Sequence, residues 1–409
     1  MKIGILTFAN VPNFGANLQA LSTVCYLRNL GHKPIIIKWE PKDFQNRFTA
    51  IKNSGQPKEH FDFCKEYLPW SRQCTTDEDI VKVIEEECIE GIIIGSDAVL
   101  QHHSMLSRIH FPTKSIVRIV NITSERIFPN AFWGTFYRYL PKKLPMCIMS
   151  ASSQNSKYKL LLHSTKKEMT NLLSNFKYIS VRDEWTKGMI NNVTNGKIIP
   201  SITPDPVFAF NQNCCNIIPT KEDILKRFKL PNNYVLVSMK TRLLDNTQWM
   251  DELKHVFEKN GLECVAFPMP TGIDFKHNFN YAINSPLSPL DWYALIKYSC
   301  AYIGENMHPI VVSLHNSVPC FSFDTYGVLK YARIYCIESS SKIYDIMNRF
   351  SVLSNRRNAY SRFWKCPTAE EICNCIISFD KNKCSQNAQM MLESYNNMMK
   401  DILKELETY

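Results

Sequence analysis

The chain has 409 residues, 45% of them hydrophobic, and carries 48 basic against 38 acidic side chains for a formal net charge of +10. A chain of this length can bury more than one core, so two domains are expected. The positive excess suits phosphorylated, carboxylated, nucleic-acid or anionic-membrane partners without choosing among them, while no apolar run approaches the ~20 residues of a membrane helix. The fifteen cysteines are scattered and include no C-x-x-C pair. Neither Cys373 with Cys375 nor the adjacent Cys214 and Cys215 has metal-site spacing, so no metal and a reduced, cytoplasmic protein are expected. The apolar stretch 3–8 is too short for a signal-peptide core.

Taken in order, residues 2–8 read as a buried strand, 9–15 as a loop, 16–30 as a helix closed by Gly31, and 35–38 as the next strand. The loop is rich in Asn and lacks G-x-G-x-x-G, which removes the dinucleotide fingerprint. Asn13 and Asn17 either shape the turn and cap the helix or offer amides to a hydroxyl-rich ligand. A capping-box helix begins near Thr75 and reaches Glu90; the apolar strand 91–95 then runs into Ser96 and Asp97, where small residues beside a carboxylate permit close ligand approach. Asp97 could equally cap the following segment.

Residues 101–143 are basic and aromatic, with seven Lys or Arg and one acid, Glu125. They fit a peripheral contact with an anionic membrane, a glycan, a single-stranded nucleic acid, or a segment that folds its aromatics into its own small core. A strand at 146–150 leads to the polar loop 151–156, with Ser152; a helix at 164–176 and a strand at 178–181 end at Arg182, which can clamp an anion or pair with the neighbouring Asp183 and Glu184. A strand at 197–199 and a Pro-stiffened turn at 203–208 close this half, and 211–216 reads as a linker.

The alternation then restarts, with helices at 221–228, 247–260 and 289–299 and strands at 234–239, 262–267, 301–303 and 320–323. Lys240 and Arg242 form a second cationic strand end. A short helix starting near Pro309 places His308 at a helix mouth, where free N–H groups and the helix dipole favour an anion. The long stretch 387–407 repeats Met, Leu, Ile and Tyr at helical spacing, a pattern of core packing. Two doubly wound domains facing one another across a cleft are expected, at 1–212 and 213–384, with 385–409 a helix crossing back.

Five stretches resemble the polysaccharide pyruvyl transferase family: Lys2-Ile-Gly-Ile-Leu-Thr-Phe8 with Asn13-Phe-Gly-Ala-Asn-Leu-Gln-Ala20, Gly95-Ser-Asp-Ala-Val99, Ser180-Val-Arg-Asp183, Asp205-Pro-Val-Phe208, and His308 with Pro319. The resemblance implies an α/β, GT-B-like fold of two Rossmann-type domains, the first on the acceptor side and the second on the donor side. It also implies transfer of a pyruvyl ketal from phosphoenolpyruvate to a sugar of a surface or capsular polysaccharide precursor. The sequence leaves open whether the acceptor is lipid-linked and whether the cytoplasmic protein sits peripherally at the inner face of the membrane. No cofactor and no nucleic acid are expected. The family's histidine maps to His308, and Asn306 stands where many members carry an arginine. The donor's charges then fall to Arg182, Lys240 and Arg242, with Asn306 and His315 nearby. His308 is the expected general acid, with Glu305, Asp97 or His315 as base; His315 could instead stabilise a helix C-terminus. Acceptor contacts are expected at Asn13, Asn17, Ser96 and Ser152. The alternatives are a GT-B glycosyltransferase using a nucleotide-diphosphate sugar and a non-catalytic glycan- or membrane-binding member.

Overall fold

A computed structural model describes residues 1–103, 109–110, 118–119, 122–154, 156–240, 243–244, 246–269, 271–330, 335–361 and 363–408. The strands are β1 (Lys2–Leu6), β2 (Lys33–Trp39), β3 (Trp70–Cys74), β4 (Gly91–Asp97), a small ribbon of β5 (Ile109–His110) and β6 (Arg118–Ile119), β7 (Met146–Ala151), β8 (Tyr178–Val181) and β9 (Ser201–Ile202) in the first half. The second half holds β10 (Tyr234–Ser238), β11 (Glu263–Ala266), β12 (Tyr281–Ala282), β13 (Ala301–Gly304), β14 (Cys320–Asp324), a ribbon of β15 (Val328–Lys330) and β16 (Tyr335–Ile337), and β17 (Arg356–Asn358).

Seven strands form one sheet in the order β3-β2-β1-β4-β7-β8-β9, and six form another in the order β12-β11-β10-β13-β14-β17. Every pairing within these two sheets is parallel. The continuous apolar runs of β4, β7 and β10 explain this, since strands covered by helices on both faces are buried throughout. Each sheet reverses its winding once, between β1 and β4 and between β10 and β13. Loops beyond the carboxyl ends of those strands flank an open crevice in each half.

The halves are joined by packing. Phe14 stacks on Trp292 at 4.8 Å between ring centroids, and the Gln56 side chain exchanges hydrogen bonds of 2.8 and 2.7 Å with the backbone of Leu287. The stretch expected as a linker is instead structured: Phe210–Asn213 is helical and buried Asn213 donates to the Ser22 carbonyl at 3.1 Å. Helix Lys381–Glu407 starts earlier than expected and packs on β7, β8 and helix Met307–His315. Its Tyr395, Met398, Met399, Ile402 and Leu406 are buried, whereas Met390 is exposed.

Two further expectations shift. The edge strand after helix Glu184–Thr194 is Ser201–Ile202 rather than 197–199, because the chain first turns through Asn195 and Gly196, both at positive φ. In the basic, aromatic stretch, Phe128, Phe132, Trp133 and Phe136 are buried in the first-half core with Ile94, Ile148 and Leu173. The residues 104–108, 111–117 and 120–121, with Phe111, Arg108 and Lys114, lie outside the described residues.

Candidate active site

The crevices at the two winding reversals face each other and enclose a cleft of about 280 Å³. Its walls come from the loop after β1 (Val11, Pro12 and Asn13), from Asp97 at the end of β4, from Ser238 at the end of β10, and from Asn306, Met307 and His308 beyond β13. Among the charged lining residues, Arg47, Arg126 and Lys342 outnumber the carboxylate of Asp97. The cleft therefore suits an anionic ligand.

His308 is the second residue of helix Met307–His315, which begins at Asn306 as N-cap and so starts two residues before Pro309. The imidazole lies flat against Gly15 of the opposite half: a Cβ on Gly15 would come within 2.1 Å of the ring. One turn on, Gln19 reaches the same ring, its amide nitrogen 3.4 Å from His308 Nε2. The same amide group donates to Asp205 Oδ2, and Arg182 Nη1 donates to that oxygen at 2.7 Å. With Gln19 donating to both neighbours, His308 Nε2 accepts and the imidazole proton sits on Nδ1. Burial pulls the His308 pKa down to about 4, helped by Lys342 and Arg182 and opposed by Asp205 and Asp97. In the free protein His308 is neutral at pH 7.

Lys342 opens helix Lys342–Arg349, which is capped by the Ser341 hydroxyl. Its ammonium lies 4.7 Å from the centre of the Tyr326 ring. Burial lowers its pKa to about 8, Arg182 adds to this, and Asp97, Asp183 and Asp205 oppose it. A weakly compensated ammonium at a cleft wall gains from an incoming anion.

The expected site residues separate into groups. His308, Asp97, Asn306 and Asn13 line the cleft together; Asp97, at a φ of 70°, accepts from the Ala98 N–H at 2.8 Å, and Asn13 caps helix Phe14–Asn29. Arg182 lies one layer behind: it is 5% exposed, paired to Asp205, with Nε and Nη2 lacking a hydrogen-bond partner among the described residues. Burial opposes its charge, but Asp205, Asp97 and Asp183 hold its pKa above the ordinary arginine value. Arg242 lies outside the described residues. Lys240 approaches buried Glu305 at 3.1 Å, an ion pair outside the cleft lining.

The remaining expected residues serve the scaffold. Asn17 is buried and donates to the Ala9 and Val11 carbonyls at 2.8 and 3.2 Å, latching the loop after β1. Ser96 is buried behind Asp97, and buried Ser152 donates to Asp183 at 2.8 Å. His315 sits at the far end of its helix, its ring 6.0 Å from that of Phe208. None of these four lines the cleft. Sequence reasoning did not single out Lys342, Arg47, Gln19 or Gly15 as site residues. The Ser339-Ser340-Ser341-Lys342 helix start and the four-residue spacing of Gly15 and Gln19 on one helix face were the available signals. Among the described residues no group of three or more His, Cys, Asp or Glu could hold a metal, and no helix is long and apolar enough to cross a membrane.

The stretches that meet at His308 are spread over nearly three hundred residues, and the sequence model of the polysaccharide pyruvyl transferase family matches residues 13–326. The chain belongs to the polysaccharide pyruvyl transferase family. Its fold is that of GT-B proteins. The UDP-GlcNAc 2-epimerase of Neisseria meningitidis bound to UDP-GlcNAc is similar in structure, with a TM-score of 0.53 at 9% identity over 99% of this chain and 100% of that one. The UDP-N-acetylglucosamine 2-epimerase of Rickettsia bellii gives 0.51 at 9% identity over 100% and 97%. UGT2 of Phytolacca americana, complexed with UDP-2fluoro-glucose and pterostilbene, gives 0.50 at 10% identity over 99% of each chain. At such identities the likeness speaks for the fold alone. No curated protein matches the chain by sequence.

Proposed function

We propose that this pyruvyl transferase takes phosphoenolpyruvate as donor and forms a pyruvate ketal on a sugar of a surface or capsular polysaccharide precursor. The observation that carries the reading is a histidine, held by Gly15 and Gln19, on a cleft wall shared with Arg47, Arg126 and Lys342. Phosphate and carboxylate of the donor meet the three cations, with Asn306 and the first turn of helix Met307–His315 adding N–H donors. The incoming negative charge raises the His308 pKa, so donor binding takes up a proton.

His308 then protonates the donor methylene, making the central carbon open to the first sugar hydroxyl, whose proton passes to Asp97. Phosphate leaves with the C–O bond electrons, and the second hydroxyl closes the ketal and gives its proton to the departing phosphate, so that donor and diol give ketal and inorganic phosphate. Arg182 acts through Asp205 and Gln19 as the support of His308 rather than as a hand on the donor. The second reading, a transferase of a nucleotide-diphosphate sugar, is favoured by the GT-B fold alone.

Thermal unfolding with each donor separates the two. Phosphoenolpyruvate is expected to raise the Tm and UDP-GlcNAc to leave it unchanged. Protection by UDP-GlcNAc without protection by phosphoenolpyruvate sinks the proposal.

A further inference from the structure

On the other side of Lys342 and Tyr326 from the cleft lies a second chamber of about 220 Å³, built by both halves. Gln154, Asp183 and Trp185 come from the first half, and Thr325, Tyr326, Ser339, Lys342 and Tyr360 from the second. Gln154, Tyr326 and Lys342 line both spaces, so the chamber adjoins the cleft across these side chains.

The two spaces differ in charge. Lys342 is the chamber's one lining cation among the described residues and Asp183 its one carboxylate, which leaves the chamber near neutral. Asp183 is already engaged, accepting from Ser152 Oγ and from Thr186 N and Oγ1 at 2.8, 2.7 and 2.7 Å. What faces the space is three half-buried aromatic side chains, Trp185, Tyr326 and Tyr360, with the amide of Gln154 and the hydroxyls of Thr325 and Ser339 at the rim. Trp185 is held by its indole N–H to the Ser156 carbonyl at 3.1 Å and by the Tyr158 ring at 5.0 Å. With Lys342 balanced by Asp183, such a wall suits an uncharged ligand: aromatic rings attract the weakly positive C–H groups of a pyranose while amide and hydroxyl groups meet its O–H groups.

We propose that this chamber is a carbohydrate subsite that holds a neutral sugar ring of the acceptor glycan, adjacent to the ring that receives the pyruvyl group. The inference rests on the transferase reading for the word acceptor, but binding of a neutral sugar does not require any particular donor. Lys342 and Tyr326 then form the partition between an anionic donor and a neutral acceptor. This arrangement makes an acceptor of two or more rings bind better than a single one.

The test uses the full chain and a panel of methyl pyranosides and their β-linked disaccharides, followed by saturation-transfer NMR and tryptophan fluorescence. Disaccharides are expected to bind at least tenfold more tightly than the matching methyl glycosides. Thr325→Trp, which fills the chamber, and Tyr360→Ala are each expected to abolish that difference while phosphoenolpyruvate still raises the Tm as in the wild type. Retention of disaccharide binding in Thr325→Trp overturns the subsite, as does saturation of the fluorescence change by UDP instead of sugar. If phosphoenolpyruvate gives no protection in the wild type while the disaccharide preference and its loss persist, the donor reading fails and the subsite stands.

Discussion

The two ends of helix Met307–His315 carry one histidine each, and both have depressed pKa values, about 4 at His308 and about 3 at His315. Burial is the leading cause in both. The neighbours differ. His308 faces a cleft lined by three cations and leans on Gly15 and Gln19, while His315 packs among the rings of Phe208 and Tyr293 with its Nε2 lacking a hydrogen-bond partner among the described residues. A shifted pKa therefore does not identify a reacting group by itself. Access to a ligand, and a counter-charge that the ligand can supply, separate the two ends.

The comparison is broken most directly by His308→Ala. Phosphate release from phosphoenolpyruvate with acceptor present is expected to fall roughly 10³-fold, the scale of a lost general acid. Turnover within tenfold of wild type would leave the two ends indistinguishable. Next in size is Gly15→Ala, which improves helix propensity but drives a Cβ into the imidazole. We expect kcat to drop on the order of 10²-fold from misplacement of His308 with the Tm preserved; unchanged kcat would mean that the ring position is immaterial.

Lys342→Gln is expected to raise the KM for phosphoenolpyruvate by roughly tenfold, the loss of one charged hydrogen bond, with a smaller effect on kcat. Because Lys342 titrates near pH 8 in the free protein, kcat/KM should decline as pH rises through that value. Lys342→Arg, which keeps its charge, should carry the alkaline limb upward. A limb that stays in place in the arginine variant would assign it to another group.

The smallest effect on activity is expected from His315→Phe, with turnover within about threefold of wild type. Its signature lies in stability. A histidine whose folded pKa is lowered binds fewer protons folded than unfolded, so stability is lost as pH falls from about 6.5 toward the folded pKa, by at most about 1.4 kcal/mol per pH unit for each group. His308, His315 and His60, the last also pushed to about 3 by burial, act in this direction. Asp345, raised to about 6 chiefly by burial, acts in the opposite one, adding stability at low pH that is lost as pH rises through about 6. Urea midpoints between pH 6.5 and 4 should fall less steeply in His315→Phe than in wild type. An equal slope would show that His315 is already protonated in the fold.

Much of the architecture was legible in the chain itself. Helix Lys221–Phe228 and strand Tyr178–Val181 lie where apolar periodicity and capping residues put them, because these signals are local. So were the motif residues whose spacing only makes sense once folded. The single Gly of Asn13-Phe-Gly-Ala, which the sequence places at the end of a loop, proves to be the seat of a histidine 293 positions later.

Local composition determined the alternation of strands and helices, the apolar stripe of the last helix and the presence of cations at strand ends. Only the tertiary structure decided which cations meet the ligand space. Arg182 closes a strand, as the sequence implies, but its ion pair with Asp205 holds it behind the wall, and Lys342 takes the place on the cleft wall from a helix start that no strand pattern marks. The reason is physical: propensity and periodicity act over a few residues, whereas the environment of a charge is set by whatever the fold brings against it from anywhere in the chain.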